Sequence, residues 1–206
     1  MTRVPFTQNY RWHLPLLLLV FCCSFFINNG AIFADIMESR NIITAREMVY
    51  DHNWLVPTMN GELRLEKPPL PTWIAAITEM ISPDNLPLQR AMAGFAAVML
   101  VLFFYKFATK LTDNRTYALV SSLVLCTSYN IILMGRTATW DIYCHAFMMG
   151  AIYYLYLALR QNPCKWTYFI GAGIFMGLSF LGKGPVSFYA LLLPFVCAYI
   201  LYYRKE

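Results

Sequence analysis

Six long apolar blocks dominate the sequence and decide which folds are open to it. They cover roughly residues 14–34, 88–107, 117–135, 142–159, 167–182 and 186–203. A helix needs about 20 consecutive apolar residues to cross the hydrocarbon core of a bilayer, and each block reaches or approaches that length. Charged residues make up only 13% of the chain, about half the share found in soluble domains. The sequence therefore predicts an all-α polytopic membrane protein with about six transmembrane helices.

The distribution of basic residues predicts how these helices are oriented. The first block follows Arg3 and Arg11, as a signal peptide would, but no small-residue cleavage site stands out, which favours a retained span. With the N-terminus inside, the inner segments hold nine bases and two acids, and the outer ones seven bases and nine acids. Basic residues are enriched on the cytoplasmic side, so both termini are predicted there. No basic run exceeds two residues, so we expect no nucleic-acid partner.

The outer segment from residue 35 to about 87 differs from the other loops. It holds eight of the 11 acids and no bilayer-length apolar run. Two stripes at helical spacing indicate amphipathic helices lying flat at the membrane surface. Their members are Ile42, Ala45, Met48 and Val49, and Leu70, Ile74, Ile77 and Ile81. Asn60-Gly61 marks a turn between them, and no β pattern is visible.

Acids at the start of this segment are candidates for catalysis. Asp35 and Glu38 are three residues apart, so they share one face of a helix. A carboxylate there suits a general base for a hydroxyl nucleophile, or a ligand for a divalent metal. The alternative is an exposed helix start, where acids are favoured by the helix dipole.

Three further groups of charges are predicted at the same membrane face. Arg64, Glu66 and Lys67 precede a proline-rich turn, and the two bases suit phosphate oxygens, although a solvated loop explains them too. Asp141 follows Arg136 in a short outer loop, where a salt bridge between the two is the simpler explanation. Lys183 lies between two apolar blocks, with snorkelling as its alternative.

Four separated segments, in this order, resemble those of a known family. They are Met37-Glu38-Ser39-Arg40-Asn41, Glu66-Lys67-Pro68-Pro69-Leu70-Pro71, Gly135-Arg136 with Asp141, and Phe180-Leu181-Gly182-Lys183-Gly184-Pro185. The family is that of the lipid A aminoarabinose transferases, bacterial relatives of the protein O-mannosyltransferases in the GT-C superfamily. The resemblance implies a glycosyltransferase of the bacterial inner membrane. It would move a sugar from a polyprenyl-phosphate carrier to a hydroxyl or phosphate of a lipid or protein acceptor on the periplasmic side.

The resemblance also implies roles for individual residues. The family often has Asp-Glu where this sequence has Met37-Glu38, so the base or metal-binding carboxylate is expected to be Asp35, Glu38 or both. Glu66 and Lys67 would contact the carrier phosphate, with Arg64, Lys183 or a divalent metal helping to neutralise it. Asp141 matches an acid near the active cavity.

Family members are more than twice as long as this chain. Residues 1–206 would form their N-terminal transmembrane module, with 35–87 as its periplasmic loop and the C-terminal half absent, so a second chain supplying further helices is an expected partner. Two other readings stay open. Met37 and the length favour a degenerate, non-catalytic subunit, while Asn28-Asn29-Gly30 and Gly171-Ala172-Gly173 are hints of a lipid-linked sugar transporter.

Overall fold

The computed structural model describes residues 10–160 and 165–203, and most of these residues are helical. Helix α1 runs on into a π-helical segment, Cys22–Phe26, and another, Phe188–Leu192, precedes α9. In chain order the α-helices are α1 (His13–Phe21), α2 (Ile36–Tyr50), α3 (Leu70–Ile81), α4 (Leu86–Thr112), α5 (Arg115–Cys126), α6 (Tyr129–Gly135), α7 (Asp141–Arg160), α8 (Trp166–Lys183) and α9 (Leu193–Tyr203). The predicted all-α class is confirmed.

Two helices, α4 and α7, are long and apolar enough to cross a membrane. Helices α5 and α6 meet the same criterion only as a pair that is bent by 66°. The bend follows from Ser128, whose extended backbone (φ −67°, ψ 140°) interrupts the helix. Within the described ranges, length and composition thus give two spans, or three with the bent pair. The predicted count of six is not confirmed.

The main hydrophobic core is formed by buried side chains of α1, its π-helical extension, α4, α5 and α7. Phe25 is fully buried against small residues of its neighbours. A Cβ atom on Gly135 would lie 2.8 Å from the Phe25 ring and 2.9 Å from the Cβ of Ala97. Small residues at such contacts let membrane helices approach closely, so this packing fixes the position of the chain that follows α6.

Helices α2 and α3 pack against each other through the predicted stripe of α2 and through alanines of α3. The buried cluster between them consists of Ala45, Met48, Ala75 and Ala76. Ile77 and Ile81 of the predicted α3 stripe are 52% and 72% exposed, and the position of this stripe at a membrane surface stays a prediction. Because alanines allow the closer approach of two helices, they occupy the contact, and the isoleucines are left on the outer face of α3.

The predicted turn at Asn60-Gly61 is confirmed, and it closes a small β-hairpin that the sequence analysis missed. The hairpin pairs β1 (Thr58–Met59) with β2 (Glu62–Leu63). Both turn residues have positive φ, 56° and 78°, as type I′ hairpin turns require. Glu47 of α2 accepts hydrogen bonds from the β1 threonine hydroxyl and from both turn N–H groups. Desolvation raises the pKa of Glu47, but these bonds outweigh it and hold that pKa below its usual value.

Helices α7 and α8 approach closely beside Gly182, which yields a prediction about stability. A Cβ atom there would lie 3.2 Å from backbone atoms of Cys144. Backbone cannot move aside without parting the helices, so Gly182→Ala should lower the free energy of unfolding by about 1–3 kcal/mol. Gly177→Ala is the matched control, because its Cβ would meet nothing within 4 Å and alanine favours the helix. Thermal melting in detergent should show a lower Tm for Gly182→Ala only; equal values would contradict the close packing.

Candidate active site

One cavity of about 270 Å³ collects a residue from each of the four predicted charged groups. Asp35 precedes α2, Lys67 precedes α3, Asp141 begins α7 and Lys183 ends α8. The other walls are supplied by threonine, methionine, leucine and tryptophan side chains. The ends of separate helices therefore place two carboxylates and two ammonium groups around one opening.

Asp35 has the properties of an available base. It caps the N-terminus of α2, where one carboxylate oxygen accepts a hydrogen bond of 2.7 Å from the backbone N–H of Glu38. The other oxygen has no hydrogen-bond partner among the described residues, and the side chain is exposed. Asp35 also lines a second cavity of about 540 Å³. This carboxylate therefore lies where two cavities adjoin.

Glu38, the other predicted catalytic acid, is in a different situation. Its side chain is fully buried, and both of its oxygens are paired with the guanidinium of Arg90 at 2.7 and 2.8 Å. Glu38 therefore presents no free oxygen to a substrate or a metal. Within residues 10–160 and 165–203, no three His, Cys, Asp or Glu side chains are grouped so as to hold a metal. The predicted Asp35–Glu38 metal pair does not fit this arrangement.

Asp141 and Lys183 form an ion pair across the ends of α7 and α8. Their side chains are 30% and 27% exposed, so both stay in contact with the cavity. The salt bridge between Arg136 and Asp141 that the sequence analysis offered is absent from the described ion pairs. Arg136 instead donates hydrogen bonds of 2.8 to 3.0 Å to the carbonyls of Ser24, Ile27 and Asn28, where it caps the end of the first helix.

Lys67 is the cation of the cavity without a carboxylate partner in the described part of the chain. Its ammonium nitrogen lies 6.0 Å from the centre of the Trp140 ring, which places it at the outer limit for a cation–π contact. Trp140 is itself 2% exposed, so it forms a fixed platform. An ammonium held in this way stays available to an anionic ligand.

Arg64 and Glu66 are not brought into this cavity. Arg64 is 7% exposed and donates to the backbone carbonyl of Arg40 and the hydroxyl of Thr44, at 2.6 and 2.7 Å. It borders a cavity of only about 10 Å³, room for one water molecule at most. Burial is the main cause of its lowered guanidinium pKa, which Glu66 raises and Arg40 lowers. Glu66 is exposed, so the predicted phosphate contacts of both residues lack support in the geometry.

A family model described as dolichyl-phosphate-mannose-protein mannosyltransferase matches residues 66–205. The chain belongs to this family. The matched part contains Lys67, Asp141 and Lys183, and begins after Asp35. The expected resemblance is thereby confirmed at the level of the family.

Relatives of this mannosyltransferase-family chain are aminoarabinosyl transferases. The undecaprenyl phosphate-alpha-4-amino-4-deoxy-L-arabinose arabinosyl transferases of Shewanella sediminis and Yersinia enterocolitica are 32% and 28% identical to it. Each alignment covers 77% of this chain but 29% and 28% of the relative. The crystal structure of ArnT from Cupriavidus metallidurans bound to undecaprenyl phosphate is similar to this chain, with a TM-score of 0.74 and 18% sequence identity. The superposition covers 97% of this chain and 36% of that one. The fold is thus shared, and the chain spans about a third of the length of these relatives.

The sequence analysis did not identify two residues that lie at or near the site, Arg90 and Trp140. Arg90 was not a candidate, although a single arginine inside an apolar block is a signal for a buried partner. Trp140 was not among the candidates named from the sequence. Because Trp140 is adjacent in sequence to the candidate Asp141, it could have been expected near the site. Its contact with Lys67 could not be expected, because that contact depends on the fold.

Proposed function

We propose that this chain forms the donor-binding and catalytic module of a glycosyltransferase that takes a sugar from a polyprenyl-phosphate carrier. The observation that carries the proposal is the 270 Å³ cavity, where the available carboxylate of Asp35 and the ammonium of Lys67, which has no carboxylate partner among the described residues, share one opening. A base and a cation are the two groups that displacement of a phosphate by a hydroxyl needs. Membership of the mannosyltransferase family supports the same reaction class.

The reaction would be a direct displacement at the anomeric carbon of the sugar. Asp35 accepts the proton of the acceptor hydroxyl while the hydroxyl oxygen forms the new bond to that carbon. The bond from the carbon to the phosphate oxygen breaks, and the electron pair leaves with the phosphate. Lys67 lies ready to neutralise the charge that develops on this leaving group. The Asp141–Lys183 pair supplies a second cation whose charge is already balanced, so its contribution is expected to be smaller.

The carrier is proposed from its chemistry and from the relatives. Curated relatives are named for undecaprenyl phosphate, and one structure with this fold contains it. A long isoprenoid chain fits a protein whose outer surfaces carry many large apolar side chains, and its phosphate fits Lys67. A hydroxyl or phosphate on a lipid or protein is the proposed acceptor class.

The distribution of charges supports a periplasmic site in an inner membrane protein with cytoplasmic termini. The four cavity residues are at the starts of α2, α3 and α7 and at the end of α8. Lys106 and Lys110 near the end of α4, and Arg160 at the end of α7, lie at the opposite ends of their helices. Basic residues mark the cytoplasmic side. We propose this orientation, with six membrane-crossing segments, for the module of residues 1–206.

A second candidate function rests on Met37. This residue lines the same cavity where the sequence resemblance places an acid, which favours a degenerate subunit that binds the donor without transferring it. Asp35 in the same cavity supports the first proposal instead. The two candidates differ on whether the Asp35 carboxylate acts in place of the acid that the resemblance expects at position 37.

Donor binding and sugar release by the full chain in nanodiscs distinguish these candidates. The ligand is undecaprenyl phosphate carrying a radiolabelled sugar, added with a membrane lipid extract as acceptor. We expect saturable binding, competition by undecaprenyl phosphate but not by a short-chain sugar phosphate, and transfer of label to lipid. Binding without transfer would establish the degenerate subunit, and absence of binding would overturn both proposals.

A further inference from the structure

We infer that the buried Arg90–Glu38 pair positions the Asp35 side of the cavity relative to the Trp140–Asp141 side. Arg90 of α4 is 3% exposed and Glu38 of α2 is fully buried. Two parallel hydrogen bonds join them, from Nε to Oε1 at 2.8 Å and from Nη2 to Oε2 at 2.7 Å. Such bidentate geometry fixes both side chains in one orientation.

The pair binds two other segments of backbone. Arg90 Nη1 donates to the carbonyls of Asn29 and Ile32 at 2.7 and 2.8 Å, which fixes the chain leading into α2. Glu38 Oε1 accepts from the backbone N–H of Ala138 at 2.8 Å. One buried ion pair thus connects α2 and α4 with two connecting segments that are distant in sequence.

Both connected segments carry residues of the cavity. The backbone N–H of Glu38 donates to the Asp35 carboxylate, so the residue whose side chain pairs with Arg90 is also part of the turn that presents Asp35. Ala138 precedes Trp140 and Asp141, and its carbonyl accepts a second bond from α2, from the Asn41 amide at 3.0 Å. Both backbone groups of Ala138 are therefore held by α2. The pair sets the position of the Asp35 side of the cavity relative to the Trp140–Asp141 side.

Stability alone does not account for this pair. Taking two charges out of water is costly, and apolar residues of similar volume often hold a core equally well. What the ion pair adds is direction, because its five hydrogen bonds specify where each connecting segment lies. Only the catalytic consequence of this inference rests on the proposed glycosyltransferase function, while the structural coupling stands without it.

Hydrogen exchange on the full chain in nanodiscs tests the coupling without any donor. In Glu38→Leu the Ala138 amide loses its acceptor, so exchange in peptides covering 136–141 should accelerate about tenfold or more. Glu79→Leu is the matched control, since Glu79 is 3% exposed, pairs with Arg46 and connects α2 with α3 away from the cavity. If Glu38→Leu folds poorly, the double variant Glu38→Leu, Arg90→Leu removes both charges and tests the same amide. Wild-type exchange at 136–141 in the folded variant, or equal acceleration in Glu79→Leu, would overturn the inference.

Sugar release, normalised to folded protein, tests the positioning role. We expect kcat to fall about tenfold in Glu38→Leu and in the double variant with KM for the donor nearly unchanged, because misplaced groups slow the reaction step more than binding. Glu38→Gln, which keeps an acceptor for Ala138, should recover part of the rate, and Glu79→Leu should keep it. An unchanged kcat in the folded double variant would overturn the role. If the wild type proves inactive, the glycosyltransferase proposal fails while the exchange experiment still decides the coupling.

Discussion

Replacing Asp35 by asparagine is expected to lower the rate of sugar release by about 10²–10⁴-fold, the range for loss of a general base. Asparagine is as good a helix N-cap as aspartate, so the hydrogen bond from the Glu38 N–H and the start of α2 should persist. Donor binding should change less than about twofold, because Lys67 and the cavity walls remain. The measurement is release of label from undecaprenyl-phosphate sugar in nanodiscs, with binding scored in the same samples.

Glu62→Gln is the control for this experiment. Glu62 is an exposed acid in β2, outside the cavities that Asp35 lines, so its removal tests the effect of losing one acid from the same outer segment. Its rate should equal that of the wild type. Release by Asp35→Asn at the wild-type rate would remove Asp35 as the base. Restoration of activity by Met37→Asp in the Asp35→Asn background would instead place the base two positions further along the chain, in the first turn of α2.

The sequence was sufficient to identify the end of the molecule where the chemistry is proposed, because helix ends are encoded locally. Asp35 begins a helix and Lys183 ends one, and apolar periodicity locates both ends. Charge asymmetry then predicts that those ends lie at one face of the membrane. Four of the seven predicted site residues share a cavity for this reason.

Pairing between charges was not predictable in the same way. Glu38 resembles Asp35 in sequence, yet it is buried against Arg90, which lies 52 residues away. Asp141 pairs with Lys183 rather than with the nearer Arg136. Each choice depends on which helix ends meet in three dimensions, and nothing within one segment records it.

Apolar periodicity also did not predict where a helix breaks or which of its apolar faces packs against a neighbour. Residues 117–135 form one apolar block, but Ser128 divides it into α5 and α6. In α3 both faces carry apolar side chains, and the alanines rather than the stripe of large residues make the contact with α2. Packing distance between helices, rather than hydrophobicity, decides which apolar face is buried.

Replacing Lys67 by alanine is expected to weaken donor binding by about 10- to 100-fold, as loss of a charged hydrogen bond of about 1.5–3 kcal/mol requires. The ammonium group lies over Trp140 and has no carboxylate partner among the described residues, so the variant leaves no buried acid unpaired. Lys67→Arg, which keeps the charge, should retain most of the affinity.

Lys106→Ala provides a matched comparison, because Lys106 lies toward the C-terminal end of α4. Its ammonium lies 5.9 Å from the Phe103 ring, so the variant also removes a lysine held over an aromatic platform, but far along the helix from the cavity. Titration with labelled undecaprenyl-phosphate sugar at two salt concentrations should show weaker binding for Lys67→Ala only. The wild-type affinity should fall with salt, and that of Lys67→Ala should fall less, because one attractive charge is already missing. Equal affinities for Lys67→Ala and Lys106→Ala would show that Lys67 does not hold the donor phosphate. The leaving group would then lie away from the cavity that contains Asp35, which would contradict the proposed mechanism.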